Sequence, residues 1–201
     1  DDARTLARTM IGIGTQMGKK VRALLTDMDQ PLGRTVGNAL EVVEAVEMLR
    51  GQAAADYTEA TLALTAEMLV LGGKAKDEAE ARGRLLAAIK DGSAERKLGE
   101  IVRAQGGDPG AITDLSKLPR AKATVSVVAT RDGYVTAIDS ENVGLAAMAL
   151  GAGREKTDSV IDPAVGFVLE KKVGDKVGKG EPLVTVHYND ASRLEAVKAR
   201  V

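Results

Sequence analysis

The sequence predicts a mixed α/β chain with two textures: a mainly helical part with one short strand over residues 1–120, then a β-rich module over 121–190. A short helical segment over 191–201 closes it. Three observations carry this. Apolar residues recur at helical spacing through the first half. Glycines at Gly51, Gly72-Gly73, Gly92 and Gly106-Gly107 punctuate that half into helix-sized pieces. After Pro119 the pattern changes to short Val- and Leu-rich runs broken by glycine, as strands and turns require. A boundary is therefore expected near residues 119–123.

Leu6, Met10, Ile13 and Met17 share one face of a helix over Ala3–Met17, which Gly18, Lys19 and Lys20 stop. Val21, Ala23, Leu24 and Leu25 then read as a short buried strand ending at Thr26 and Asp27, with Gln30-Pro31-Leu32-Gly33 as the loop beyond it. A second helix is predicted over Asn38–Leu49, with Asn38 as its cap, Leu40, Val43 and Leu49 on one face, and Gly51 as its stop. Three more follow at Tyr57–Leu71, Lys76–Lys90 and Ala94–Ala104, the last capped by Ser93. Strands are expected at Val125–Ala129, Tyr134–Ile138, Val165–Leu169 and Leu183–Val186, with Gly133, Gly166, Gly174, Gly178 and Gly180 at turns and bends.

Composition narrows function. Hydrophobic residues at 44% suit a folded globule rather than a disordered chain. A net charge of -1, from 28 basic and 29 acidic residues, gives no field that would condense on nucleic acid or an anionic membrane. Aromatic residues at 2% leave few rings on which bases could stack. The absence of cysteine excludes disulfides, thiolate metal sites and a cysteine nucleophile, and fits a cytoplasmic address. No apolar run reaches membrane-spanning length and no signal-peptide pattern opens the chain; a first residue Asp1 in place of Met suggests that it is not the natural start.

Several polar or glycine-rich features fail as sites when taken alone. Gly12, Gly14 and Gly18 mimic part of a dinucleotide fingerprint but lie inside a helical pattern instead of between strand and helix, so close helix packing explains them better. His187, the single histidine, follows a strand without a carboxylate or second ligand near it in sequence, and reads as a surface strand-end residue. Asp27 and Asp29 have the spacing of an acid–base pair, yet at the end of a strand they more simply solvate a loop.

The stretch LTDMDQPLGRTVGNALEVVE, residues 25–44, resembles the corresponding stretch of pyrimidine nucleoside phosphorylases and thymidine phosphorylases. Asp27, Met28, Gln30, Pro31, Leu32, Gly33, Gly37, Asn38, Ala39 and Glu41 all fit. The resemblance continues through EMLVLGGKAKDEAEAR, DGSA and Ala104-Gln105, and on through GYV, LGAGR, IDPAVGFVLEKKVGDKV and PLVTVH, covering nearly the whole chain. It implies the carboxy-terminal portion of such an enzyme: the remainder of its α/β domain followed by a barrel-sandwich hybrid module. It further implies reversible phosphorolysis, with phosphate and a pyrimidine nucleoside as substrates, base and pentose 1-phosphate as products, and a homodimer at full length. The family's lysine-x-serine-x-glycine-glycine phosphate loop, and the arginine, serine and lysine that hold the base, precede the matched region. No catalytic residue is therefore assigned, and this chain alone is expected to be inactive.

One family site does map here. The resemblance implies a potassium ion held partly by the phosphate loop and partly by Leu32, Thr35 and Glu44. Two loop carbonyls and one carboxylate suit a hard monovalent cation. Family members often carry alanine at the position of Thr35, a change that a carbonyl ligand tolerates. Without the resemblance, Glu44 reads as an exposed helix carboxylate. Three rival readings are weaker. A biotinyl- or lipoyl-type carrier would present its lysine on a hairpin tip, and Asp175-Lys176-Val177 does not sit there; Lys171, Lys172, Lys176 and Lys179 then read as a solvated edge. Anthranilate phosphoribosyltransferase-like enzymes share the architecture but lack the terminal module. A non-catalytic remnant is the third. PLGRTVGNALEV leans towards an enzyme accepting uridine as well as thymidine.

Overall fold

A computed structural model describes residues 1–154, 156–198 and 200. Helix α1 (Asp2–Gln16) leads, and Gly18 ends it in a left-handed conformation (φ 72°). Gly14 lets the chain fold back, since a Cβ there would meet Val21 Cγ2 at 2.3 Å, whereas Gly12 faces open space. The predicted strand at Val21–Leu25 does not form: the segment has no regular structure. A strand needs a partner for its N–H and C=O groups, and among the described residues none pairs with it.

Strand β1 (Thr35–Val36) was not expected from the sequence; a two-residue strand is too short to show a period. Helix α2 (Asn38–Leu49) matches the predicted range. Its cap does not: Gly37 is the N-cap, Glu41 folds back to accept from the Gly37 N–H at 3.0 Å, and Asn38 instead donates Nδ2–H to Ala152 O at 2.8 Å. Its buried side is Ala39, Glu44, Val46 and Met48, with Leu40, Val43 and Leu49 partly buried beside it. Helices α3 (Ala55–Leu71), α4 (Glu78–Lys90) and α5 (Ser93–Ala104) follow. Asp77 caps α4 by accepting from Glu80 N. Gly92, not Ser93, caps α5, and the Asp91 carboxylate takes the Ser93 N–H at 2.8 Å. A small-residue cluster of Ala66, Ala75 and Ala81, flanked by Leu69, Val70 and Leu85, joins α3 to α4. Arg50 at the end of α2 reaches Glu95 of α5 (Nη2 to Oε1, 2.6 Å) and Ile112 O (2.9 Å), the latter in the short helix α6 (Gly110–Thr113).

The second half contains β2 (Ala123–Val128), β3 (Gly133–Tyr134), α7 (Ser140–Ala147), β4 (Gly166–Leu169), β5 (Lys176–Val177), β6 (Pro182–Tyr188) and α8 (Leu194–Lys198). The main sheet has the order β1-β4-β6-β2, antiparallel throughout, and β3 pairs with β5 in a second, two-stranded sheet. The predicted strand at Tyr134–Ile138 is cut to Gly133–Tyr134; beyond it, Val135 N and O only exchange bonds with the turn at Asp175 and Gly174. Helix α7 and the π-type turn after it (Met148–Ala152) were not expected in a β-rich stretch. They cover the sheet. Val143, Ala146, Ala147 and Leu150 pack on Phe167, Leu169, Val184 and Val186. Phe167, the single phenylalanine, and Val186 are fully buried. Lys176 lies in a paired strand opposite Tyr134, not at a hairpin tip. No helix among the described residues is long and apolar enough to cross a membrane.

Candidate functional site: a loop clamped between helix and module

Pairing of β1 with β4 (Thr35 opposite Val168, Val36 opposite Phe167) carries the loop before β1 onto the β module. That loop, residues 28–34, is held from several sides. Ser140 Oγ donates to Met28 O at 3.0 Å, Val173 N to Gln30 Oε1 at 3.0 Å, and Arg34 Nη1 to Leu169 O and Glu170 O at 3.1 and 2.9 Å. Asp27 and Asp29 are exposed at its start, where Asp29 N donates to Asp27 Oδ1 at 2.7 Å, so the Asp27 carboxylate shapes the loop by taking a backbone amide.

Glu44 is not the exposed helix carboxylate that its position alone suggests. It is 7% exposed. Oε1 accepts from Arg34 N at 2.7 Å, and Oε2 accepts from Thr35 N at 3.1 Å and Thr35 Oγ1 at 2.5 Å. No salt bridge reaches it among the described residues, so the buried carboxyl is held by hydrogen bonds from Arg34 and Thr35. Gly33 makes the close approach possible: its φ is 70°, and a Cβ would stand 2.6 Å from Glu44 Oε1 and 2.7 Å from Oε2. Leu32, Thr35 and Glu44 line one cleft of about 340 Å³, together with Pro31, Glu41, Tyr57 and Ser140. Burial, with the charges of Glu44 and Glu41, pushes the Tyr57 hydroxyl pKa above its ordinary value.

The charged side chains lining the cleft are the carboxylates of Glu44 and Glu41. Among the described residues no group of three or more His, Cys, Asp or Glu converges as a transition-metal or calcium site would. The Glu44 carboxylate, without a salt-bridge partner among the described residues, opens on a cleft lined by both apolar and polar residues.

Lys172 and Asp56 were missed in the sequence. Lys172, read as part of a solvated lysine edge, has a side chain only 12% exposed and pairs with Asp56 Oδ2 at 2.9 Å. It also donates to Gly33 O at 2.6 Å and to Pro31 O. Asp56 at the start of α3 accepts from Gly33 N at 3.3 Å and Tyr57 N at 2.9 Å. Its burial opposes ionisation, but the Lys172 bond and the two amide bonds outweigh that and hold the carboxyl below its usual range. Nothing local marks Lys172, one of two adjacent lysines in a turn. Lys171 is partly buried and lies 3.2 Å from Glu181. His187 is half-buried within β6, and desolvation pushes its pKa down, with Glu170 opposing.

Two family models match. Residues 134–201 match the pyrimidine nucleoside phosphorylase C-terminal domain, and residues 1–95 match the a/b domain of the glycosyl transferase family. The chain belongs to the pyrimidine nucleoside phosphorylase family. It is 47% identical over 201 residues to the pyrimidine-nucleoside phosphorylase of Geobacillus stearothermophilus, covering 100% of this chain and 46% of that protein. Against the pyrimidine-nucleoside phosphorylase of Staphylococcus aureus (strain USA300) the identity is 44% over 198 residues, 98% of this chain and 46% of that protein. The chain spans about half the length of the curated relatives it matches. In this family member the two matched regions meet at the β1–β4 pairing and at the Lys172–Asp56 pair.

Proposed function

We propose that this chain supplies the cation loop and terminal module of a pyrimidine nucleoside phosphorylase, a pentosyltransferase of nucleoside salvage acting as a cytoplasmic homodimer on thymidine, uridine and deoxyuridine. Its reaction joins a phosphate oxygen to the anomeric carbon as the carbon–nitrogen bond breaks; the base leaves with the electron pair and takes up a proton. The single observation that carries the reading is the buried Glu44, without a salt bridge among the described residues, beside Leu32 and Thr35 in one cleft, in a chain nearly half identical to enzymes of that name. Potassium fits those residues: the carbonyls of Leu32 and Thr35 and the Glu44 carboxylate would hold it, and the ion would fasten this loop to the phosphate loop. The residues present here do structural work on that site. Gly33 yields room for the carboxylate, and Arg34 and Thr35 fix it with their amides.

The coding sequence upstream of Asp1 tests the whole reading: a lysine-x-serine-x-glycine-glycine loop in frame, and phosphate-dependent release of base from thymidine and uridine by the full-length product, are expected. A stop codon or an unrelated domain there would defeat it. For the ion, the Glu44→Ala enzyme should need more potassium for activity, and an unchanged requirement would remove Glu44 from the site.

A further inference from the structure

Lys172 brings a positive charge of the β module into the loop that carries Leu32 and leads into Thr35. Its ammonium has three N–H donors and finds three acceptors, Pro31 O, Gly33 O and Asp56 Oδ2. A nearly buried ammonium is tolerable when every donor is used, as here. The loop is thereby gripped at consecutive peptide groups. Gly33 gives its N–H to Asp56 and its C=O to Lys172, while the next two N–H groups, of Arg34 and Thr35, go to Glu44. Leu32 lies between the two residues whose carbonyls Lys172 holds.

We propose that Lys172 is the positioning residue of the cation loop: a tethered ammonium that holds the Pro31 and Gly33 carbonyls so that Leu32, Thr35 and Glu44 keep the geometry of a potassium site. The inference rests on the potassium reading of those three residues. It has a sign that a simple charge effect lacks. Removing a positive charge close to a cation site should tighten cation binding by relieving repulsion. Losing the positioning should weaken it, as loss of groups that orient metal ligands commonly does.

The test is the isosteric neutral variant Lys172→Met in the full-length product. Potassium half-saturation is read from thermal stabilisation at constant ionic strength, with choline as the balancing cation. Amide exchange at Gly33, Arg34 and Thr35 is measured in the same protein without potassium. The expected results are a rise in half-saturation of about tenfold or more and faster exchange at all three amides. A half-saturation equal to or below wild type overturns the coupling, and wild-type exchange overturns the positioning role itself. If the wild-type protein shows no potassium-specific stabilisation, the cation reading and the coupling both fall, and the exchange data alone then decide whether Lys172 holds the loop. Should Lys172→Met fold poorly, Lys172→Ala with added propylammonium takes its place: recovery of slow exchange supports a tethered ammonium, and no recovery counts against it.

Discussion

Gly166 and Gly37 meet backbone to backbone: a Cβ added to Gly166 would stand 2.9 Å from Gly37 Cα and 2.2 Å from Val36 O. The reverse holds too, since a Cβ on Gly37 would stand 2.5 Å from Val165 O. Both glycines have positive φ, 143° at Gly37 and 156° at Gly166. This contact seats β1 on β4 and starts α2 against the module, so it sets where Glu44 sits. Gly166→Ala combines backbone strain with overpacking and should cost on the order of 3 kcal/mol. Urea unfolding measures it; a loss below that of an ordinary surface substitution would mean the two backbones can separate freely.

Gly33→Ala acts on the site more than on the fold. The added methyl would enter the space of both Glu44 carboxylate oxygens, at a φ of 70° that alanine resists. The carboxylate must move, so potassium half-saturation should rise by about tenfold, read by potassium titration of activity in the full-length product. Thr35→Ala is the contrasting change. It removes the Oγ1 bond to Glu44 Oε2, yet the Thr35 amide still donates to the same oxygen. The cost should be about 1 kcal/mol, with the potassium requirement near wild type.

His187 gives a pH signature that can be assigned without ambiguity because it is the single histidine. Burial depresses its pKa in the folded chain below the ordinary 6.5. The unfolded chain therefore binds the proton first as pH falls. Stability from this group is complete above about pH 6.5 and is lost progressively as pH drops from there towards the folded-state pKa. Urea unfolding between pH 8 and pH 5 should show that decline, and His187→Gln should remove it. A decline of equal size in the variant would assign the effect to carboxylates, whose titration lies lower.

The ranges of α1 to α5 were legible because each of these helices is long enough to show its period and is followed by a glycine. Helix α2 matches to the residue. Caps were less legible, since Gly37 and Gly92 take cap positions where Asn38 and Ser93 carry the expected side chains. The strand at Val21–Leu25 failed because an apolar run reveals neither a pairing partner nor a covering layer: none pairs with it among the described residues, and Leu24 and Leu25 are exposed. Helix α7 was hidden by its Gly144 and by the strand-like texture around it. At the candidate site, Leu32, Thr35 and Glu44 came from family resemblance, whereas the burial of Glu44 is invisible to a helical period that sets it between Glu41 and Glu47. Lys172 is 116 positions from Asp56 in the chain, and only the fold brings them together.

Helix α1 carries the last prediction. It buries none of its residues, and Leu6, Met10, Ile13 and Met17 are 61%, 60%, 55% and 69% exposed. Their spacing lays them along one face over about 16 Å of helix. A single helix of this length with no packed face is marginal in water, and a continuous apolar stripe of this kind promotes association. The 201-residue chain on its own should therefore self-associate and bind a hydrophobic dye. Replacing Met10 and Ile13 together with Gln should reduce both, with little change in the unfolding midpoint, because neither side chain belongs to a core cluster. Sedimentation velocity decides the matter: an unaltered association constant in the double variant would place the sticky surface elsewhere, whereas a shift towards monomer would identify α1 as the face that a covering element must protect.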